Sequence, residues 1–186
     1  MTRSIYNVST DVLSEFVFNS NHIEGYSPSD YPKTSRLYKA HMKAAQMVVR
    51  EAIWEPTVLH MALLDGTDML PAYEVGTYRR VQVYIGDFYP PSPGRHLLDH
   101  VERWRNMVLD GPNSWADTEG WAWQVHDEFE CCHPFTDGNG RTGRLILNAM
   151  RLKYDLPWLT IHHGDEQQAY YRHIRDFQRS GAWKCS

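Results

Sequence analysis

The chain has 186 residues and a mass of 21.8 kDa, enough for one domain with its own hydrophobic core and too little for two. Its 19 Lys and Arg against 23 Asp and Glu leave a formal charge of −4, which supplies no global positive field for nucleic acid or an anionic membrane surface. Three cysteines, Cys131, Cys132 and Cys185, are an odd set without framework spacing, as expected of reduced thiols in a cytosol-like compartment. Thr10 and Asp11 are plausible caps for a first helix, whose face carries Leu13, Phe16 and Val17 and runs towards Glu24 before Gly25 ends it. Leu37, His41, Ala44, Val48 and Ala52 make a second helical face, and Leu59, Ala62 and Leu63 a short third.

The period then changes. Val81, Val83 and Ile85 alternate, Gly86-Asp87 supplies a turn, and Phe88-Tyr89 can pair back before Pro90-Pro91, which predicts a small hairpin. Helical spacing returns in Leu97, Leu98, Val101, Trp104 and Val108, and again in Trp121, Val125 and Phe129. A helix from near Asn139 carries Leu145, Ala149 and Leu152 before Pro157, and a last one carries Tyr170, Ile174 and Phe177. No repeat, low-complexity tract or linker interrupts the pattern. Met1 to Ser9 has no apolar core of a signal peptide and no stretch reaches transmembrane length, so the expectation is a soluble, cytoplasmic protein, with leaderless export left open.

The segment from His133 to Arg144 falls between two helices and has the makings of a phosphate cradle. Gly138 and Gly140 permit left-handed backbone and leave no Cβ in the way, so successive N–H groups can turn towards an anion. The free N–H groups and positive dipole end of the following helix aim at the same point. Arg141 and Arg144 share a helical face and offer two guanidinium forks to a polyphosphate. Asp137 gives a hard oxygen, and Mg²⁺ is typically held by one or two carboxylates plus substrate phosphates. His133, a neutral imidazole at pH 7, is the natural group to take a proton from an attacking hydroxyl. Zinc at Cys131-Cys132-His133 is disfavoured, because adjacent residues chelate poorly and no C-x₂-C partner exists.

At these residues the sequence resembles the Fic family signature, H-x-F-x-D/E-G-N-G-R-x-x-R, at every fixed position. Gly76-x-Tyr78-Arg79 leading into Val81 to Pro91 resembles the family's flap, His126 stands seven residues before His133 as is common there, and Tyr170-Tyr171 fits the closing helix. The likeness covers roughly Phe18 to Phe177. It implies a mainly α, Fic-type helical bundle with a small β-hairpin flap at about 76–91, built as a single domain over 1–186. The implied activity is transfer of AMP from ATP to Tyr, Ser or Thr hydroxyls of target proteins, self-modification included, with Mg²⁺ as the helper ion. By that likeness His133 is the base, Asp137 holds Mg²⁺, Gly138, Asn139, Gly140 and Arg141 bind the α- and β-phosphates, and Arg144 takes the γ-phosphate. Phe135 would anchor the loop in the core.

Ser20-Asn21-His22-Ile23-Glu24-Gly25 resembles the family's S/T-x-x-x-E-G/N inhibitory motif, on an N-terminal helix at about 10–26. Ser20 and Glu24 would share a face, and the resemblance has Glu24 pair with Arg144. Val83, Tyr84 and Ile85 of the flap would align a target as an added strand. Tyr170 and Tyr171 read as core more readily than as an adenine stack, Trp121 and Trp123 as core or surface aromatics, and His162-His163 as flanking the last helix. Phosphorylation by the related Doc toxins is the nearest rival, but those place Lys where this chain has Gly140. UMP or phosphocholine transfer, AMP removal with Glu24 activating water, and a non-catalytic nucleotide-binding partner remain alternatives. The family also implies homodimers; neither nucleic acid nor membrane is expected as a partner.

Overall fold

Ser9, one residue before the expected caps, starts the first helix: its Oγ accepts from Val12 N at 3.3 Å, relieving one of the donors a helix N-terminus leaves unpaired. The computed structural model describes residues 6–27, 29, 31–181 and 183, so Met1 to Ile5 and Cys185 lie outside the described residues. The helices are α1 (Thr10–Ile23), α2 (Arg36–Glu51), α3 (Pro56–Leu64), α4 (Arg95–Asp110), α5 (Thr118–Cys132), α6 (Asn139–Lys153) and α7 (Asp165–Ser180), with a short 3₁₀ turn at Trp115–Asp117 before α5. The second helix stops one residue short of the expected Ala52, which turns left-handed at φ 53°. Proline opens α3, where its missing N–H costs nothing.

The interior is organised around α6, which is buried along nearly its whole length and packs on α5, α3 and α2. Leu145 and Ile146 meet Phe16, Val17, Ala44, Val48, Leu59, Leu63, Val125 and Phe129 in one core. Apolar residues therefore surround α6, and its polar first turn is left at one end of the bundle. Contact between α5 and α6 depends on Gly143, where an added Cβ would collide with the Glu130 carboxyl and lie 3.2 Å from Phe129 Cδ1. Cys131 and Cys132 are free and buried; desolvation pushes both thiols up, Cys132 to about 12, which makes them poor nucleophiles.

The expected hairpin is corrected to something smaller. The alternation of Val81, Val83 and Ile85 does not become a ladder: among the described residues a single antiparallel bridge, Ile85 with Phe88, closes the turn through N–H···O bonds of 3.1 and 3.0 Å. Pro90 and Pro91 have no N–H to donate, and a two-stranded ribbon is marginal by itself. Side chains fix this arm instead. Arg79 Nη1 donates to Val81 O at 3.1 Å, Arg79 Nη2 to Pro91 O at 2.6 Å, and Gln82 Nε2 to Val83 O and Pro90 O at 3.0 and 3.2 Å. Among the described residues no helix is long and apolar enough to cross a membrane.

Candidate active site

The turn between α5 and α6 is short and strained at its start. His133 ends α5 in the left-handed region, φ 46° and ψ 60°, which costs an L-residue with a Cβ roughly 1–2 kcal/mol. Its N–H donates to Phe129 O at 2.9 Å and its carbonyl accepts from Arg79 Nε at 2.8 Å, while Arg79 N donates to Pro134 O at 2.9 Å. Arg79, 3% exposed, thus joins the base of the flap to the backbone of His133.

The His133 ring points its Nδ1 at Glu130 O, 3.3 Å away. A carbonyl can only accept, so Nδ1 carries the hydrogen and Nε2 keeps its lone pair. Burial, reinforced by Arg79, lowers the ring's pKa to about 4 against the opposing pull of Glu24, Asp137 and the Glu130 carbonyl. At neutral pH His133 is a neutral imidazole.

Phe135 is fully buried and stapled from both sides. Asn139 Oδ1 accepts from Phe135 N at 2.9 Å and Asn139 Nδ2 donates to Phe135 O at 2.8 Å, so this amide braces the loop from within. His60, a residue the periodicity of α3 gave no reason to single out, stacks on Phe135 at 3.8 Å and 12°. Its Nδ1 accepts from Gly76 N at 2.8 Å, which obliges Nε2 to donate to Asp137 O at 2.9 Å. Desolvation holds this ring near a pKa of about 4, so it stays neutral. Gly138, left-handed at φ 78°, has no space for a Cβ beside Leu64 and the His60 ring, 3.1 and 3.4 Å off.

Asp137 is half-exposed and accepts from Gly138 N through Oδ1 at 2.5 Å, with Arg141 Nη2 3.7 Å from the same oxygen. No cluster of three or more metal-ligating side chains exists among the described residues. A hard carboxylate, open to solvent beside a phosphate-sized loop, suits Mg²⁺, which keeps several waters and takes the rest of its shell from phosphates.

The two arginines differ in how well they are satisfied. Arg141, 1% exposed, has no partner at Nε, reaches Met69 Sδ at 3.4 Å through Nη1, and lies 5.3 Å over the Tyr26 ring. Such a buried cation is under-compensated: its ion-pair partner, the half-exposed Asp137 carboxylate, stands 3.7 Å from Nη2 without a hydrogen bond to offset the desolvation. Arg144 is engaged by the end of α1 at two of its three nitrogens: Nε donates to Ser20 Oγ at 2.9 Å, and Nη2 to Ser20 O at 2.9 Å and Glu24 Oε1 at 2.7 Å. Burial opposes the charge on both members, but the pairing prevails, with Arg144 raised and Glu24 lowered. Glu24 also covers the first turn of α6, since a Cβ at Gly140 would stand 2.6 Å from its Oε1.

A cleft of about 400 Å³ brings Glu24, His133, Gly140 and Arg144 together with Tyr170 and the flap tip at Ile85 and Gly86. Glu130, Tyr171 and Arg175 also line it. Asp137 and Arg141 lie outside its walls, Arg141 beneath Tyr26. Val83 and Tyr84 do not reach it either; Tyr84 is 64% exposed and meets Tyr89 edge-on. Tyr170 is both core and wall, buried with its hydroxyl 3.0 Å from His126 Nε2. His162 flanks α7 as expected, its N–H donating to Glu166 Oε2 at 2.9 Å.

The Fic/DOC family model matches residues 57–150. The protein adenylyltransferase Fic of Drosophila melanogaster is 34% identical over 125 residues, 66% of this chain and 24% of that protein; its Drosophila grimshawi counterpart is 35% identical with the same coverage. The aligned stretch therefore spans about a quarter of these curated relatives. Among solved structures, a Fic domain-containing signaling protein from Bacteroides thetaiotaomicron superposes with a TM-score of 0.68 at 24% identity, covering 89% of this chain and 71% of that one. A Fic protein from C. elegans does so at 0.69 and 20% identity, covering 95% and 61%. These last two share the fold, and the family match runs through α3, the flap and the whole loop from His133 to Arg144: the chain belongs to the Fic/DOC family.

Proposed function

We propose that the chain is a single-domain protein adenylyltransferase that moves AMP from ATP onto a Tyr, Ser or Thr hydroxyl of a target protein, in the cytoplasm, and that Glu24 holds it in an inhibited state. The observation that carries this reading is the shared cleft: a neutral His133 with a free Nε2 and the guanidinium of Arg144 both open onto the first turn of α6 at Gly140. A base facing a phosphate-binding helix terminus is what attack of a hydroxyl on a bound nucleotide requires.

In this reading the amides at Gly138 to Gly140 and the under-satisfied Arg141 take the α- and β-phosphates. Arg144 takes the γ-phosphate once Glu24 releases it. Asp137 would hold Mg²⁺, which when bound neutralises phosphate charge. His133 Nε2 accepts the hydroxyl hydrogen as the target oxygen bonds to the α-phosphorus and pyrophosphate leaves. Inhibition follows from competition: the guanidinium at 2.7 Å from Glu24 is unavailable to the nucleotide. Of Val83, Tyr84 and Ile85, Ile85 is the one that lines the cleft. Targets are proteins, this chain among them, and the homodimer belongs to the proposal without a specific interface. A phosphotransferase like the Doc toxins is less well supported, because those place Lys where this chain has Gly140.

The test is incubation of the Glu24→Gly protein with Mg²⁺ and α-labelled ATP in lysate, followed by mass spectrometry of labelled bands. An added AMP on a hydroxyl is expected, and its absence in His133→Ala despite retained nucleotide binding. Transfer of phosphate alone, or equal labelling by His133→Ala, overturns the reading. One observation favours removal of AMP as a second activity: Glu24 lines the same cleft as His133, where a carboxylate can activate water. That activity would be lost, not gained, in Glu24→Gly.

A further inference from the structure

Glu130 is 5% exposed, and its Oε1 has no hydrogen-bond partner. It stands three residues before His133, hence on the same side of α5. Its Oε2 lies 4.0 Å from His133 Nδ1 and its Oε1 3.7 Å from His126 Nε2, and the carboxyl forms part of the wall of the cleft that holds His133. A buried carboxyl with an orphaned oxygen destabilises a fold, and an apolar residue of similar size would avoid that cost. The neighbouring helix even leaves room for it, through the absent Cβ of Gly143.

We propose that His133 and Glu130 work as a dyad, in which His133 Nε2 takes the target hydroxyl's proton while the Nδ1 proton passes to Glu130 Oε2. This rests on His133 being the base of the transfer proposed above. The bond from target oxygen to α-phosphorus forms as the bond from that phosphorus to pyrophosphate breaks. The hydroxyl hydrogen is balanced by Glu130, which ends the step as a neutral acid and later releases its proton to solvent. Nδ1 rests on the Glu130 carbonyl at 3.3 Å, and bringing it within bonding reach of Oε2 takes a shift of about 1 Å.

The electrostatics favour the carboxyl as the proton's destination. His133 by itself, held near 4 by burial, is a weak base at pH 7. Desolvation pushes Glu130 up to about 7, with Glu24 and Asp127 adding to the rise and His126 and Arg144 opposing it. Tyr170 from α7 faces the same carboxyl, while Arg79 and Asp137 face the His133 ring. Two groups this close titrate as a pair. The pair offers the hydroxyl a base strength matched to neutral pH, which the imidazole alone does not.

The experiment measures AMP transfer from about pH 5 to 9 in the Glu24→Gly background, with Glu130 intact, E130Q, E130D and His133→Ala. With Glu130 intact the acid limb lies near 7. E130Q is expected to lower the plateau by about tenfold or more and to move the limb at least about one pH unit lower. E130D, whose carboxylate sits one methylene back, keeps a limb near neutrality on a reduced plateau, which a packing defect would not do. Independently of activity, infrared difference spectra of the nucleotide-free protein should contain a carboxyl titrating near neutrality that E130Q removes. An unshifted limb in E130Q, or no such carboxyl in the intact protein, overturns the dyad. If His133→Ala retains transfer, the proposed function itself fails; if it loses transfer while the E130Q profile is unshifted, only the dyad fails.

Discussion

Glu24 Oε1 accepts from Arg144 Nη2 at 2.7 Å across 120 residues of sequence, and Ser20 Oγ and O take two more of the same guanidinium's hydrogens. One turn of α1 thus closes over the end of α6.

Glu24→Gly should raise AMP transfer by about 5–150-fold, the range of an ordinary 1–3 kcal/mol coupling. The pH dependence of inhibition follows from the lowered pKa of Glu24. A depressed carboxylate pairs fully above its unfolded value and loses the pairing only as pH falls through its folded one, below 4.5. The ratio of rates between the two proteins is therefore expected to be flat from about pH 8 to 9, above the acid limb that loss of the Glu24 charge beside Glu130 displaces. Labelled-ATP assays of both proteins at several pH values check this; a ratio that changes across that interval contradicts it.

His60→Phe preserves the stack on Phe135 but removes the acceptor for Gly76 N and the donor to Asp137 O. Two partly buried backbone groups lose partners, at up to about 1–3 kcal/mol each. The melting temperature should fall, and Mg²⁺-ATP affinity measured by calorimetry in the Glu24→Gly background should weaken, because the backbone of Asp137 is no longer pinned. Unchanged affinity would limit His60 to stability.

Gly143→Ala places a methyl against the Glu130 carboxyl and Phe129. Overpacking of this kind typically costs about 1–3 kcal/mol, visible as a lower denaturation midpoint with an unchanged slope. Gly86→Ala in the flap turn, where an added Cβ meets no atom within 4 Å, serves as the contrast, with only its backbone strain at φ 60° to bear.

Glu130→Gln should stabilise the fold at alkaline pH. The raised pKa, about 7 against 4.5 unfolded, means that ionisation favours the unfolded chain. The penalty is absent below about 4.5, grows through the interval and is complete above 7, where it amounts to about 3 kcal/mol. Glutamine escapes it. Thermal unfolding at pH 5 and pH 8 is expected to give nearly equal midpoints at the lower value and a higher one for the variant at the upper; equal shifts at both would mean that Glu130 does not titrate in this window.

Much of this arrangement is legible in the sequence because its signals are local. The periodic spacing that gives Leu13, Phe16 and Val17 a common face, or Leu145 and Ala149, needs no knowledge of the rest of the chain. The segment from His133 to Arg144 declares itself by composition. What is not legible depends on distant packing. His60 lies beside Leu59 on a short apolar helix, and nothing nearby tells that its two nitrogens are taken by Gly76 and Asp137. Asn139 has a phosphate-binding role by resemblance alone, and no local signal tells that its side-chain amide braces Phe135. Glu130 is placed by its spacing from His133, but only the burial created by α6 and α7 makes it unusual. The flap fails for the opposite reason: alternation at Val81, Val83 and Ile85 predicts a ladder, and among the described residues no neighbouring strand exists for it to join.

Arg79 grips the carbonyls of His133, Val81 and Pro91 at once. A rivet common to the arm and to the imidazole's own peptide makes the two mechanically one body, so a displacement of the arm is carried to the ring. Under the proposed function, tightness of grip on a target and speed of turnover would answer to the same guanidinium.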